Sequence, residues 1–125
     1  MAWLAAAFGS GAMTNSFVEL EQAKCILVIG SNTTVAHPIA SMRLMRAKAN
    51  GAKLMVADPR KTQIASLAHL HAQHNLGTDV ALINGIMHAI YKNGWHNRDF
   101  IEERTEDFEA LVEVIEQFQI GRAHV

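Results

Sequence analysis

The sequence predicts an α/β fold: a parallel sheet of about three strands with flanking helices. Three observations predict it. Cys25–Ile29 is a continuous apolar run, and Leu54–Ala57 after Lys53 is another. Both are too short for helices and show no polar alternation, the pattern of strands buried on both faces. Helical patterns stand before, between and after these runs, so the chain reads helix, strand, helix, strand, helix, strand, then helices. Alternation of that kind winds a chain around a parallel sheet through right-handed crossovers.

Taken in order, Ala2 to Phe8 has helix-forming composition and stops at Gly9-Ser10-Gly11. Ser16 with Glu19 three residues later forms a capping box, which predicts a short helix to about Ala23. The first strand, Cys25 to Ile29, ends at Gly30, and Cys25 is expected in the core at its start. Pro38 suits the first turn of the next helix, with His37 flanking its start. Ile39, Met42, Leu44, Met45 and Ala49 supply its apolar face, Arg43, Arg46 and Lys48 lie outside, and Gly51 follows its end. The second strand, Lys53 to Ala57, is closed by Asp58-Pro59. A short helix is predicted from about Thr62 to Leu67 and a weak third strand at His69 to Ala72.

After the turn-like stretch Gln73 to Thr78, Asp79 can cap a helix to about Lys92, with Val80, Ile83, Met87 and Ile90 as its buried stripe and Gly94 after it. Asn97 caps another short helix through Glu103. A last amphipathic helix holds Phe108, Leu111, Val112, Ile115 and Phe118. Met42, Met45, Met55 and Met87 fall on buried stripes and need no cofactor explanation, and the acidic stretch Glu102-Glu103 with Glu106-Asp107 reads as a solvated face.

Composition narrows the function classes. The 125 residues are 50% hydrophobic, enough for a packed core, and the net charge of -1 gives no electrostatic case for nucleic acid or an anionic membrane surface. No apolar run approaches the roughly 20 residues of a membrane span. The single cysteine, Cys25, cannot form a disulfide framework or a cysteine-rich iron–sulfur or zinc site within the chain. The apolar start lacks a basic region, so a signal peptide is not expected, and it reads as a helix cut from something before it. Ile120-Gly121-Arg122-Ala123-His124-Val125 breaks the preceding amphipathic pattern and matches the translation of a common sequencing-library adapter, so residues 120–125 are expected to be a non-native tail. The chain is then an interior slice of a longer protein.

Chemistry is expected in the loops beyond the carboxyl ends of the strands, where open parallel sheets bind ligands. These are Gly30-Ser31-Asn32-Thr33-Thr34, Asp58-Pro59-Arg60-Lys61-Thr62 and Asn75-Leu76-Gly77-Thr78-Asp79. They offer hydroxyls, an amide, carboxylates and a guanidinium near helix starts, a set suited to a nucleotide. The Rossmann fingerprint G-x-G-x-x-G and the Walker A motif are both absent. Asp58 stands where a Rossmann carboxylate meets a ribose, and equally where a helix-cap or turn residue would precede Pro59. His69, His71 and His74 are clustered without a carboxylate or cysteine beside them, so a packed or solvated role is expected and no metal site. No nucleophile–histidine–carboxylate set can be assembled, so no catalytic residue is named.

Five segments, in this order, resemble the catalytic subunits of formate dehydrogenases. They are Gly9-Ser10-Gly11-Ala12-Met13-Thr14-Asn15-Ser16, Ile29-Gly30-Ser31-Asn32-Thr33-Thr34, Ala57-Asp58-Pro59-Arg60-Lys61-Thr62, Gly77-Thr78-Asp79-Val80-Ala81-Leu82, and Glu102-Glu103-Arg104-Thr105-Glu106-Asp107-Phe108-Glu109. The resemblance runs from about Leu4 to Phe118 and places the chain in the molybdopterin oxidoreductase superfamily. It implies a Rossmann-like sheet within a larger molybdopterin-binding domain, of which residues 1–119 would be part.

The resemblance further implies formate oxidation to carbon dioxide at molybdenum or tungsten held by two molybdopterin guanine dinucleotides. Electrons would leave through an iron–sulfur cluster outside this segment to electron-transfer subunits. Asn32 would meet the pyrophosphate region, Asp58 the ribose, Arg60 the phosphate or guanine side, and Gly77, Thr78 and Asp79 the guanine end, with Gly30, Ser31 and Pro59 also among the cofactor-binding residues. Two departures stand out. Val35 occupies a position that is often polar or acidic in the family, and Cys25 matches neither the metal-ligating cysteine or selenocysteine nor the cluster ligands, which would lie upstream of Met1. The compartment expected is the cytoplasm, with the periplasm as alternative. The competing readings are another molybdopterin enzyme, nitrate reductase-like or complex-I-like, and a non-redox nucleotide-binding α/β module.

Overall fold

The computed structural model describes residues 15–117, so the predicted helix at Ala2 to Phe8, Phe118 and the tail 120–125 lie outside the described residues. The chain divides into two compact units, residues 1–73 and 74–125.

The first unit contains the sheet. Its strands are β1 (Cys25–Ile29), β2 (Lys53–Ala57) and β3 (Leu70–Ala72), all parallel and in the order β1-β2-β3. The predicted strands and their parallel pairing are therefore present, with β2 in the centre. A 3₁₀ helix at Glu19–Gln22 precedes β1, and helices α1 (Thr33–Ala36), α2 (Pro38–Ala49) and α3 (Gln63–Leu67) fill the crossovers. The one-turn helix α1 is an element that the sequence pattern did not predict, because four residues are too few to show a helical period.

Register decides which face is core. Ile26 pairs with Leu54 and Val28 with Val56, so these four share one sheet face. Leu44 of α2 and Ile64 and Ala65 of α3 pack against it, with Met45 partly buried at the margin. Leu54 and Ile64 are 0% exposed. The opposite face carries Cys25, Leu27, Met55 and Leu70, and Leu27 and Leu70 are 45% and 56% exposed.

This corrects two expectations. β1 is not buried on both faces, and Cys25 is exposed rather than core. The reason is packing: among the described residues of the first unit, α2 and α3 place their buried side chains on the face that carries Val28, Leu54 and Val56, opposite to Cys25 and Leu27.

The helical stripes also differ from expectation. In α2 the buried residues are Ser41, Leu44 and Ala47, whereas Ile39, Met42 and Ala49 are exposed. Ser41 and Ala47 are small enough to let the helix backbone approach its neighbours. The caps agree more closely. Gly51 takes φ +98 after α2, and Thr62 Oγ1 accepts the Ala65 N–H at 3.3 Å to cap α3.

The Ser16–Glu19 box is half formed, with Glu19 Oε2 accepting the Ser16 N–H at 3.3 Å, and only a 3₁₀ turn follows. That turn is tied to α2 by Glu21, whose Oε1 accepts from the guanidinium groups of Arg43 and Arg46. Hydrogen bonding from Arg43 holds the Glu21 carboxyl below its ordinary range, against the opposing effect of desolvation. A lowered folded-state value means the contribution of this tie is fully present above the ordinary carboxylate range and is lost as the pH falls from there through the lowered value.

The second unit comprises α4 (Asp79–Lys92), α5 (Arg98–Arg104) and α6 (Phe108–Ile115). Asn97 caps α5 as predicted, its Oδ1 accepting the Phe100 N–H at 3.1 Å. α4 packs on α6, where His88 is buried and donates from Nδ1 to the Ile115 carbonyl at 3.1 Å. Tyr91, His96 and Phe108 form a ring cluster with centroids 5.4 to 6.1 Å apart. The predicted stripe on α4 is corrected, because Val80, Ile83 and Ile90 are 68%, 40% and 38% exposed. Glu102, Glu103, Glu106 and Asp107 are exposed, as a solvated acidic face should be.

Because only one sheet face is filled, truncations on the two faces should differ sharply. Leu54→Ala is expected to destabilise the first unit by about 2–5 kcal/mol, and Leu27→Ala by within about 0.5 kcal/mol, measured by urea unfolding. Equal losses would show that the wrong face has been identified as core.

Candidate cofactor-binding loops

The predicted site residues of the first unit meet at the carboxyl ends of two adjacent strands. Gly30 continues the ladder past β1, its N–H donating to the Ala57 carbonyl at 2.9 Å. It then turns with φ +57, a conformation that a β-carbon disfavours, although a β-carbon there would meet nothing within 4 Å. The chain leaves the sheet through half-buried Ser31 into Asn32. Asn32 Oδ1 accepts the Thr34 hydroxyl at 2.8 Å, and the Asn32 carbonyl accepts the N–H groups of Val35 and Ala36. Thr33 is 8% exposed, and its Oγ1 is buried with no hydrogen-bond partner among the described residues.

At the end of β2, Asp58 is 2% exposed. Its Oδ1 accepts the Arg60 N–H at 2.8 Å and lies 3.5 Å from Arg60 Nε. This is the turn that the non-ligand reading of Asp58 anticipated. The backbone of Asp58 is held on both sides. Its N–H donates to the Ala72 carbonyl at 3.3 Å, and its carbonyl accepts from His71 Nε2 at 2.8 Å. Gln73 Nε2 donates to the Pro59 carbonyl at 2.7 Å. Arg60 is 73% exposed and presents its guanidinium to the surroundings.

The remaining predicted residues belong to the second unit. Gly77 has φ +79 and open space where a β-carbon would stand. Thr78 is the cap residue of α4 but makes no side-chain cap bond; its hydroxyl donates to the Asn75 carbonyl at 2.7 Å. Asp79, expected to cap α4, is its first residue instead, and its Oδ1 lies 3.1 Å from His74 Nε2.

Each of the three clustered histidines has its own structural partner. His69 Nδ1 accepts the Leu54 N–H at 3.0 Å, His71 holds Asp58, and His74 holds Asp79. Among the described residues no group of three His, Cys, Asp or Glu could hold a metal ion, and no helix is long and apolar enough to cross a membrane. Three supporting residues were not legible as such: Thr33, His71 and His74. Thr33 stands out only by burial, and His71 and His74 by a backbone carbonyl and a carboxylate that they hold, none of which leaves a periodic trace in sequence.

The loops of the first unit offer a fixed buried carboxylate, an exposed guanidinium, a buried hydroxyl with no partner among the described residues and a glycine turn with room beside it. A sugar–phosphate group can be held by such a set through hydroxyl-to-carboxylate and phosphate-to-guanidinium bonds.

Known proteins share this segment. The chain is 49% identical over 115 residues to the F420-dependent formate dehydrogenase subunit alpha of Methanocaldococcus jannaschii, covering 92% of this chain and 17% of that protein. It is 36% identical over 110 residues to formate dehydrogenase H of Escherichia coli, covering 88% of this chain and 15% of that protein. Among solved structures, acetylene hydratase from Pelobacter acetylenicus superposes with a TM-score of 0.74 at 25% identity, over 86% of this chain and 17% of that one. The chain thus spans under a fifth of the length of each of these relatives. The molybdopterin oxidoreductase profile matches residues 4–115, and the chain belongs to that family.

Proposed function

We propose that this chain is part of a formate dehydrogenase catalytic subunit and that its loops hold one guanine dinucleotide arm of the molybdopterin cofactor. The similarity to formate dehydrogenase alpha subunits of Methanocaldococcus jannaschii and Methanococcus maripaludis and to formate dehydrogenase H of Escherichia coli carries the reading. The loop chemistry agrees with it, since Thr33 Oγ1 is a buried polar atom left for a partner from outside the described residues.

In this reading Gly30, Ser31 and Asn32 bind the pyrophosphate region, where a side chain at Gly30 would strain the turn. Asp58 accepts from ribose hydroxyls. Its backbone clamps and its bond to the Arg60 N–H fix the carboxylate beforehand, which lowers the ordering loss on binding. Arg60 neutralises phosphate, with Pro59 stiffening the turn between them. Gly77, Thr78 and Asp79 meet the guanine end. Residues 1–119 then form part of a dinucleotide-binding α/β domain.

When bound, the cofactor supplies a molybdenum or tungsten centre that takes two electrons from formate, leaving carbon dioxide and a proton. The chain's own residues bind and orient; none of them exchanges electrons. Cys25 is the single thiol, whereas iron–sulfur clusters are usually held by four cysteines, so any such cluster would be held by residues outside this chain.

Two outcomes test this division of labour. In the complete enzyme, Asp58→Ala should weaken retention of guanine dinucleotide by about 1.5–3 kcal/mol, while Glu103→Ala on the solvated face should change it little. The measurement is guanine nucleotide released per purified polypeptide, and equal content in the two variants would remove Asp58 from the site. The purified 125-residue chain, given formate, metal, cofactor and an acceptor dye, should show no dye reduction above a boiled control. Turnover above that control would show that these residues include the catalyst.

A further inference from the structure

We infer that His74 is a positioning residue that mounts the Asp79 carboxylate for hydrogen-bond donors of a bound guanine base. The inference rests on the reading that places Asp79 at the guanine end. The two side chains differ in a telling way: His74 is 8% exposed, whereas Asp79 is 48% exposed. A buried ring therefore grips an accessible carboxylate, with Nε2 and Oδ1 3.1 Å apart. No other hydrogen bond engages the Asp79 side chain among the described residues, and it does not cap its own helix, since α4 begins without a side-chain cap bond. Oδ2 is thus left for a ligand while Oδ1 is held.

The two ring nitrogens of His74 stand in different surroundings. A carboxylate oxygen accepts, so Nε2 must carry the hydrogen. Nδ1 is buried and has no partner among the described residues. Nε2–H donating to Oδ1 leaves Oδ2 of the carboxylate, with its lone pairs and negative charge, open to other donors. At the start of a 14-residue helix that charge is favoured by the helix dipole, and it is directed to whatever donors approach from solvent. Guanine presents two adjacent donors of this kind, the ring N–H and the exocyclic amino group. A carboxylate already fixed in one rotamer has less freedom to lose on accepting them.

The test uses the complete enzyme assembled with its dinucleotide cofactor. His74→Leu should retain about tenfold less guanine nucleotide through gel filtration, and His74→Gln, whose amide N–H can replace Nε2–H, should stay within about twofold of the unsubstituted enzyme. Full retention in His74→Leu, alongside loss in Asp79→Ala, would overturn the positioning role and leave Asp79 in the site. Full retention in Asp79→Ala would overturn both. Failure of glutamine to restore what leucine loses would also overturn the role, because the Nε2 donor would then not be what matters. Should His74→Leu fail to fold, NMR of the unsubstituted protein with isotope-labelled histidine decides the question. The Nε2–H tautomer is expected at His74, and the Nδ1–H tautomer would contradict the proposal.

Discussion

The parallel pairing of β2 with strands on both sides is the constraint on which the rest depends. Leu54 and Val56 are held on one face by Leu44, Ile64 and Ala65, and the register then places Ala57 and Asp58 at one height beside Ile29 and Gly30. Removing apolar side chains from water supplies the driving force, and the sheet hydrogen bonds convert it into fixed positions. Asp58 illustrates the result. A nearly inaccessible carboxylate is tolerable because its oxygen accepts the Arg60 N–H and its backbone is bonded to Ala72 and His71. Core packing and site geometry are therefore one construction: a shift in β2 would move the carboxylate with it.

Much of this was legible in the residues. Cys25–Ile29 and Lys53–Ala57 were readable as strands because apolar runs bounded by turn residues have few alternatives. The cap Asn97 and the end at Gly51 were readable because they satisfy backbone groups within a few residues. Burial was less legible. Ile39, Met42, Val80 and Ile83 are as apolar as Leu44 and Leu54, yet they are exposed. Exposure depends on which elements lie opposite, and local pattern does not record that. Cys25 fell to the same cause, since its side chain lies on the sheet face opposite to the packed core.

The candidate site divides along the same line. Gly30, Asp58 and Gly77 stand where strand ends and turns demand them, so they could be named from sequence. The residues behind them could not. His71 reaches Asp58 through a carbonyl thirteen positions away, and Thr33 is notable only for what its hydroxyl lacks. Second partners of this kind emerge from folded geometry alone.

The central claim is that the loops following β1 and β2 receive the dinucleotide of a molybdopterin cofactor. Its most direct test is an experimental structure of the complete enzyme with cofactor bound. The account predicts phosphate and ribose density within hydrogen-bond distance of Asn32 and Asp58. Density for the cofactor at the amino ends of the strands, with Asp58 bonded only to Arg60, would contradict it.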